Sequence, residues 1–343
     1  MIVMDPMRSG IKGIKAPRPL SIPHQDKLMS TYAWHPNIGD DNLILRVSKS
    51  SMSTFQFCEQ QYFIKYILGV KEEQNDDMLR GTNVHDAMED FYDTVDLDRA
   101  GSDIQSVRDH FYSYIPHQSK EKEWGGETIE PQPFELGERI HLQRMMDLES
   151  TRFMHSDKEH FLPVINEDSI DAIIDLEVDG QIVFIHLTGI IDRGFMADDG
   201  RLHLHELKTG KWKDSEFKLK SMQKEMAFYV YMLKHSKNHK YSGMTAAYWG
   251  WDHTKGDSNN PEAAYRFAEP VRTDAIQDML LELQSLVRMH LRYKGDNAGT
   301  MFPRKADGWA TDNLCEPWCR VKGFCPKYGR VLMPADMKGE GIV

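Results

Sequence analysis

The stretch GIIDRGFMADDGRLHLHELKTG, residues 189–210, decides the fold. Two apolar-rich runs, Gly189–Met196 and Arg201–Lys208, flank Asp198-Asp199-Gly200, a pattern that predicts two antiparallel strands joined by a short turn. Along the second strand, the period of two sends Leu202, Leu204, Glu206 and Lys208 to one face and His203, His205 and Leu207 to the other. Glu206 and Lys208 are therefore neighbours on one surface, which in isolation is most often only a salt bridge. Asp192 on the preceding strand changes that reading. Two carboxylates converging on a sheet repel each other, so a site that keeps them together usually keeps a divalent cation as well. Such a cation lowers the pKa of a bound water and stabilises charge on a phosphoryl oxygen. The Lys208 ammonium can orient or help deprotonate that water, or neutralise the phosphate. Phosphodiester hydrolysis suits this set of groups.

Upstream, Asp171–Val178 and Gln181–Leu187 flank the turn pair Asp179-Gly180, extending the strands into an antiparallel meander. Downstream, the spacing predicts a long helix from Ser215 to Lys234, a strand over Met244–Trp251, a loop rich in Asp, Asn and Pro, and a helix over Thr273–Tyr293. Nearer the start, Met52, Phe55, Cys58, Tyr62 and Tyr66 recur at helical steps behind a run of serines, which points Cys58 inward. Arg80-Gly81-Thr82-Asn83 reads as a break, followed by a second helix with His85 at its start. The expected organisation is an extended arm over 1–45, N-terminal helices over 46–99, a mostly helical insertion over 100–165 with a polar loop around Trp124–Pro133, a core over 166–300 and a Cys-rich tail over 301–343.

The 343 residues are 40 % hydrophobic and 28 % charged, which argues for a globular chain and against a disordered or fibrous one. No apolar run approaches the roughly 18 residues of a membrane helix, and residues 1–50 lack the apolar core of a secretion signal, so no membrane partner is expected and the location reads as cytoplasmic. The net charge of −11 repels nucleic acid on average. It is unevenly spread: residues 206–240 hold nine lysines against four acids, and residues 288–330 hold nine Lys or Arg against four acids. By themselves these are as readily solvated faces as a phosphate track.

Of the four cysteines, Cys58 stands alone and Cys315, Cys319 and Cys325 cluster near the end. A large chain without a secretion signal argues against disulfides, leaving one tetrahedral metal site or one iron-sulfur cluster. Four thiolates suit zinc as well, and spacing alone does not separate the two.

Taken in order, Cys58, Gly81-Thr-Asn-Val-His85, Gly189-Ile-Ile-Asp192, Glu206-Leu-Lys208-Thr-Gly210, a helix bearing Tyr229 and the three terminal cysteines resemble the PD-(D/E)XK nuclease superfamily. Within it they resemble the RecB-like exonuclease branch with an iron-sulfur cluster, which includes the AddB nuclease domain and CRISPR-associated RecB-like nucleases. The resemblance implies an α/β, restriction-endonuclease-like core with a mixed central sheet flanked by helices. It implies His85, Asp192, Glu206 and the Leu207 carbonyl as ligands of Mn2+ or Mg2+, Lys208 as the catalytic lysine, and Cys58, Cys315, Cys319 and Cys325 as holders of a 4Fe-4S cluster. A histidine ligand favours manganese over magnesium.

Two departures from that family are visible. The Gln-x-x-x-Tyr spacing before Tyr229 lands on Glu225, with Gln223 two residues earlier, and three residues rather than two separate Cys315 from Cys319. Gln223 and Tyr229 are candidate DNA contacts, as are Lys211 and Lys213, which follow the catalytic strand and can line a phosphate channel. Tyr248, Trp249 and Trp251 read as core rather than as a base-stacking track.

The activity implied is exonuclease action on single-stranded DNA or DNA ends in recombination, repair or phage DNA processing, in a bacterial or phage-infected cell. No Gly-x-x-x-x-Gly-Lys-Ser/Thr loop occurs, so unwinding would fall to a helicase or recombination partner. Two alternatives stand beside it: a noncatalytic DNA-binding or assembly protein that keeps the fold and cluster, and a CRISPR adaptation nuclease that trims spacers.

Overall fold

The computed structural model describes residues 32–34, 43–70, 75–124, 127–211, 215–238, 240–241, 244–256, 264–292, 302–303, 313, 315 and 319–325. In chain order these form β1 (Tyr32–Trp34), β2 (Leu43–Ser48), α1 (Lys49–Phe57), α2 (Asp76–Thr94), α3 (Ile104–Tyr112), β3 (Lys122–Trp124), β4 (Glu127–Ile129) and α4 (Leu136–His155). There follow β5 (Ile165–Val178), β6 (Gln181–Met196), β7 (Leu202–Lys211), α5 (Glu216–His235), β8 (Ala246–Lys255), β9 (Tyr265–Pro270) and α6 (Thr273–Arg292).

The Asp179-Gly180 pair turns with φ of 51° and 76°, the left-handed geometry that a two-residue hairpin demands, and it joins β5 to β6 along their full length. Gln181–Leu187 and Gly189–Met196 are one continuous strand, where the alternation pointed to two. Along its other edge β6 changes partner. Residues 185–188 pair in parallel with β2, and residues 193–196 pair antiparallel with β7. The two neighbours diverge around Gly189–Asp192, leaving a fork in the sheet. Strand β8 lies parallel to β7 and β9 antiparallel to β8, so the seven-stranded sheet is mixed. With helices on its faces, this is the restriction-endonuclease-like α/β fold.

Each face has its own core. Leu202, Leu204, Trp249 and Trp251 pack with Met222, Met226 and Leu233 of α5 and with Leu283 and Val287 of α6. On the other face Phe195 and Leu207 pack with Val84, Met88 and Phe91 of α2, Phe111 of α3 and Leu142 and Met146 of α4. Residues 100–165 thus contribute the cover of one sheet face. Their longest elements are α3 and α4, and β3 and β4 form a small antiparallel pair where a polar loop was expected. The stretch read as a loop after Trp251 instead carries β8 on to Lys255 and supplies the edge strand β9.

Helix α2 begins at Asp76, capped by the Asn75 side chain on Met78 N, with Asp76 and Asp77 in its first turn. Arg80–Asn83 therefore lies inside the helix, and His85 sits near its middle, not at its start. The expected arm over 1–45 includes β1 and part of β2, which pair with each other.

Beneath the fork lies a buried ion network. Arg193 Nη2 donates to Asp252 Oδ2 at 2.9 Å, and Arg266 Nε donates to Asp252 Oδ1 at 2.7 Å. Arg266 also pairs with Glu149, which accepts from Arg152. Asp252 is fully buried, and although burial opposes its ionisation, Arg266 and Arg193 hold its carboxyl well below the usual range. The network ties β6, β8, β9 and α4 into one frame next to Asp192. Asp252→Ala strips Arg193 of that carboxylate and Arg266 of one of its two, so we expect a loss of about 3–5 kcal/mol in urea unfolding. A loss below ~1 kcal/mol would show that the frame does not depend on this ion pair.

Candidate active site

The fork in the sheet gathers the charged residues. Asp192 is at its base and accepts a 2.7 Å hydrogen bond at Oδ2 from Leu207 N. Glu206, one residue before on β7, is buried, as is Asp192. Burial, and then the Glu206 charge, push the Asp192 carboxyl up to about 7. Two carboxylates are thus held out of water within electrostatic reach of each other, as the sequence pattern predicts.

Glu206 stays ionised because cations hold it. Its Oε1 accepts from Lys208 Nζ and from Lys49 Nζ, each at 2.8 Å. Burial acts against its charge, yet Lys208 and Lys49 keep the carboxyl far below the usual range. The same two ammoniums reach Glu225 Oε1, Lys49 at 2.6 Å and Lys208 at 3.3 Å. The result is a square of two lysines and two glutamates. Lys49 is the first residue of α1, a position where the helix dipole disfavours a cation, and the two carboxylates offset that cost. Its Nζ also lies 5.5 Å from the centre of the Tyr229 ring.

Helix α5 supplies Glu225 and Tyr229 one turn apart on the face turned to the fork. Gly189 makes the close approach of Tyr229 possible, since a Cβ there would lie 2.9 Å from Tyr229 Cε1. Gln223 is not brought to the cluster. Its amide donates to Glu269 Oε1 on β9 at 2.5 Å, an oxygen shared with Trp249 Nε1, and the side chain is buried. Glu225 therefore occupies the place where a glutamine was sought, and Lys49 balances its charge.

From α2, His85 reaches the same point. Its Nδ1 lies 2.7 Å from Glu167 Oε1 and 3.7 Å from Asp192 Oδ2, and its Nε2 lies 3.2 Å from Leu207 O. Burial lowers its affinity for a proton, but Asp192 and Glu167 outweigh it and raise the pKa to about 9. The protonated ring donates to Glu167 and to the Leu207 carbonyl. A hard divalent cation fits this donor set of imidazole, buried carboxylates and backbone carbonyl. The 3.2 Å between Nε2 and Leu207 O is near the ~3 Å edge between adjacent donors of an octahedral ion with bonds of about 2.1 Å.

Lys211 is exposed at the end of β7, and Lys213 lies outside the described residues. At the far end of α1, Cys58 breaks the helix with φ of −163° and ψ of 119°. The Cys319 thiol is pushed up to about 11, first by burial and also by Cys58, Cys315 and Cys325, so the four sulfurs share one neighbourhood. All four are half-buried and free of disulfides. Cys319 N donates to Cys315 O at 3.2 Å, which holds these two cysteines close together. Four thiols so placed, none in a disulfide, fit a thiolate-bound metal group.

The family model of the PD-(D/E)XK nuclease superfamily matches residues 46–326. The chain belongs to this superfamily. Membership implies a metal-dependent nuclease that acts on DNA with a divalent cation such as Mg2+ or Mn2+. Among solved structures, 16 chains match. One of them, titled "Crystal structure of SSO0001", is 12 % identical, with 88 % of this chain and 93 % of that chain covered and a TM-score of 0.33. No curated protein matches. Among the described residues, no helix is long and apolar enough to cross a membrane.

Sequence reasoning missed Lys49 and Glu167, and left Glu225 without a partner. Lys49 had one available signal, a lysine placed directly after the Ser48 cap, against the dipole preference. Removing Lys49 or Glu225 singly leaves a charge uncompensated, whereas removing both restores balance. In urea unfolding, Lys49→Met with Glu225→Gln should therefore be more stable than the sum of the single losses by roughly 0.5–3 kcal/mol. Strict additivity would mean that the two side chains do not interact.

Proposed function

We propose that this chain is an exonuclease that hydrolyses the phosphodiester bonds of single-stranded DNA or of DNA ends, in recombination, repair or phage DNA processing. The observation that carries this reading is the convergence of His85, Asp192, Glu206 and Lys208 at one fork of the sheet. In this reading His85, Asp192, Glu206 and the Leu207 carbonyl hold the cation. When bound, Mn2+ or Mg2+ supplies charge stabilisation at the phosphoryl oxygen and a more acidic water. Lys208, steadied between Glu206 and Glu225, presents an ammonium beside them and orients the attacking water or neutralises charge developing on the phosphate. Glu225 and Lys49 act as its supports. Tyr229, packed under Lys49, shapes the wall of the site. Lys211 and the half-buried Lys218 extend a cationic track from Lys208, offsetting the acidity of the chain where a phosphate backbone must approach, and Lys213 lies between them in the sequence.

A purely DNA-binding role does not account for buried acids facing an incoming polyanion. The test uses linear and covalently closed single-stranded DNA with Mn2+, Mg2+ or a chelator. Linear DNA should be digested only with a cation, and closed circles should be spared. Lys208→Ala should fold normally and cut about 10²–10⁴-fold more slowly. Full-rate cleavage by that variant removes Lys208 from the mechanism, and equal digestion of closed circles removes the requirement for ends.

The four cysteines, in the same reading, hold a 4Fe-4S cluster that staples the tail to the start of the core; their order along the chain, which resembles that of the iron-sulfur branch, supports this. Anaerobically purified protein should be brown, with broad visible absorption from iron–thiolate charge transfer and iron in place of zinc. Colourless protein with stoichiometric zinc would replace the cluster with a single tetrahedral ion.

A further inference from the structure

We infer that Glu167 is a positioning residue for the cation site, an outer carboxylate that fixes which nitrogen of His85 faces the ion. This rests on the cation-binding role proposed above for His85. Glu167 belongs to β5, on the far side of β6 from the strand that carries Glu206 and Lys208, and no pattern in the sequence marks it.

The backbone shows how it reaches the site. Glu167 has φ of 49°, in the left-handed region that is unfavourable for a residue with a Cβ. The other non-glycine of positive φ among the described residues is Asp179, whose conformation the hairpin turn requires. No turn requires it at Glu167, which lies within a long antiparallel ladder, between the pairs Asn166↔Arg193 and Asp168↔Ile191. On both strands the alternation changes phase at this rung. Ile165 faces the main core before it, whereas Ile170, Ala172 and Ile174 face that core after it. On β6, Ile191 lies in the main core and Phe195, four residues on, in the other. Both strands kink where Glu167 stands opposite Asp192. Directly opposed residues of an antiparallel pair share a face, so both acids turn to His85, on the side of the sheet that α2 covers. One donor atom from each of His85, Glu167 and Asp192 lies within 4.8 Å of the other two.

The chemistry assigns Glu167 the outer position. Its Oε1 is 2.7 Å from His85 Nδ1, a short bond in which the ring N–H donates to the carboxylate. With Nδ1 so engaged, the neutral ring has its lone pair on Nε2, on the side of the Leu207 carbonyl. Neighbouring contacts hold Glu167 in place: Asn166 Nδ2 donates to Asp93 Oδ1 at 2.8 Å and to Glu89 O at 3.2 Å, pinning the kink to α2, the helix that bears His85.

The test measures Mn2+ binding to the metal-depleted full chain by calorimetry, for wild type, Glu167→Gln and Glu167→Ala. Glutamine keeps an oxygen that accepts the Nδ1–H bond, whereas alanine removes it. Glu167→Ala should bind Mn2+ about 10–100-fold more weakly, as loss of an outer-sphere partner of a ligating histidine does. Glu167→Gln should stay within about threefold of wild type. At saturating Mn2+ the alanine variant should recover most of its kcat. Affinity equal to wild type in Glu167→Ala overturns the inference, and so does a loss in Glu167→Gln as large as that in Glu167→Ala, which would make Glu167 a direct ligand. Wild type that takes up no Mn2+ defeats the cation reading itself, an outcome distinct from either.

Discussion

Charge compensation at the fork of the sheet is the constraint on which this protein turns. Asp192 and Glu206 are buried, and Glu167 and Glu225 stand close to them with only part of their surface in water. Carboxylates packed this way repel each other strongly in a medium of low effective dielectric. Three basic groups make the arrangement tolerable: Lys49 and Lys208 on Glu206 and Glu225, and His85 between Glu167 and Asp192. The compensation is uneven. The lysines hold Glu206 fully ionised, while Asp192 is left as the acid whose proton is held most firmly. In the proposed reading, a divalent cation between them would meet one carboxylate already screened by ammoniums and one that must give up its proton.

The fold supplies this geometry by changing partners along a single strand. A sheet in which β6 kept one neighbour throughout would bury Gly189–Asp192 under ladder hydrogen bonds and leave no opening. The switch from β2 to β7 opens a gap of a few residues, and the Leu207 N–H uses it to reach the Asp192 carboxylate instead of a backbone oxygen. Beneath, the Arg193–Asp252–Arg266–Glu149 network fixes the adjoining rungs. Placing one charged network against another is unfavourable for stability alone, which is why a site of this kind belongs on a rigid scaffold.

The sheet and its strand-borne acids were legible in the sequence because alternation and turn chemistry are local. Glu206 and Lys208 fall where a period of two puts them, Asp192 lies on the strand expected for it, and Asp179-Gly180 marks its hairpin without help. Glu167 was not legible, since its role depends on a kink that suspends the alternation from which strand faces are read. Lys49 was hidden for a related reason: its partners, Glu206 and Glu225, are more than 150 residues away, and only the tertiary fold brings them together. Gln223 shows the reverse failure. A motif pointed to it, but helix α5 presents positions 225 and 229 to the fork, and residue 223 faces β9 instead. His85 was identified as a residue while its place in the helix was missed, because Gly81 reads as a break although the Asn75 cap had already begun the helix.

One consequence joins the two clusters. Helix α1 carries Lys49 at its first residue and ends at Cys58, so nine residues, about 14 Å of helix, separate the ammonium on Glu206 from a thiol of the cysteine group. Past Cys58, Gln60 N donates to Pro303 O, and Tyr62 packs on Phe302 and meets His290 at 2.8 Å, binding this segment to α6 and the start of the tail. A short helix with both ends anchored can neither rotate nor slide freely. Were the proposed cluster removed, the anchor at Cys58 would loosen, and the lysine at the other end would lose part of the support for its 2.8 Å contact with Glu206. In the proposed reading the cysteine group would steady the active site mechanically, through the register of one helix, with no electron transfer required.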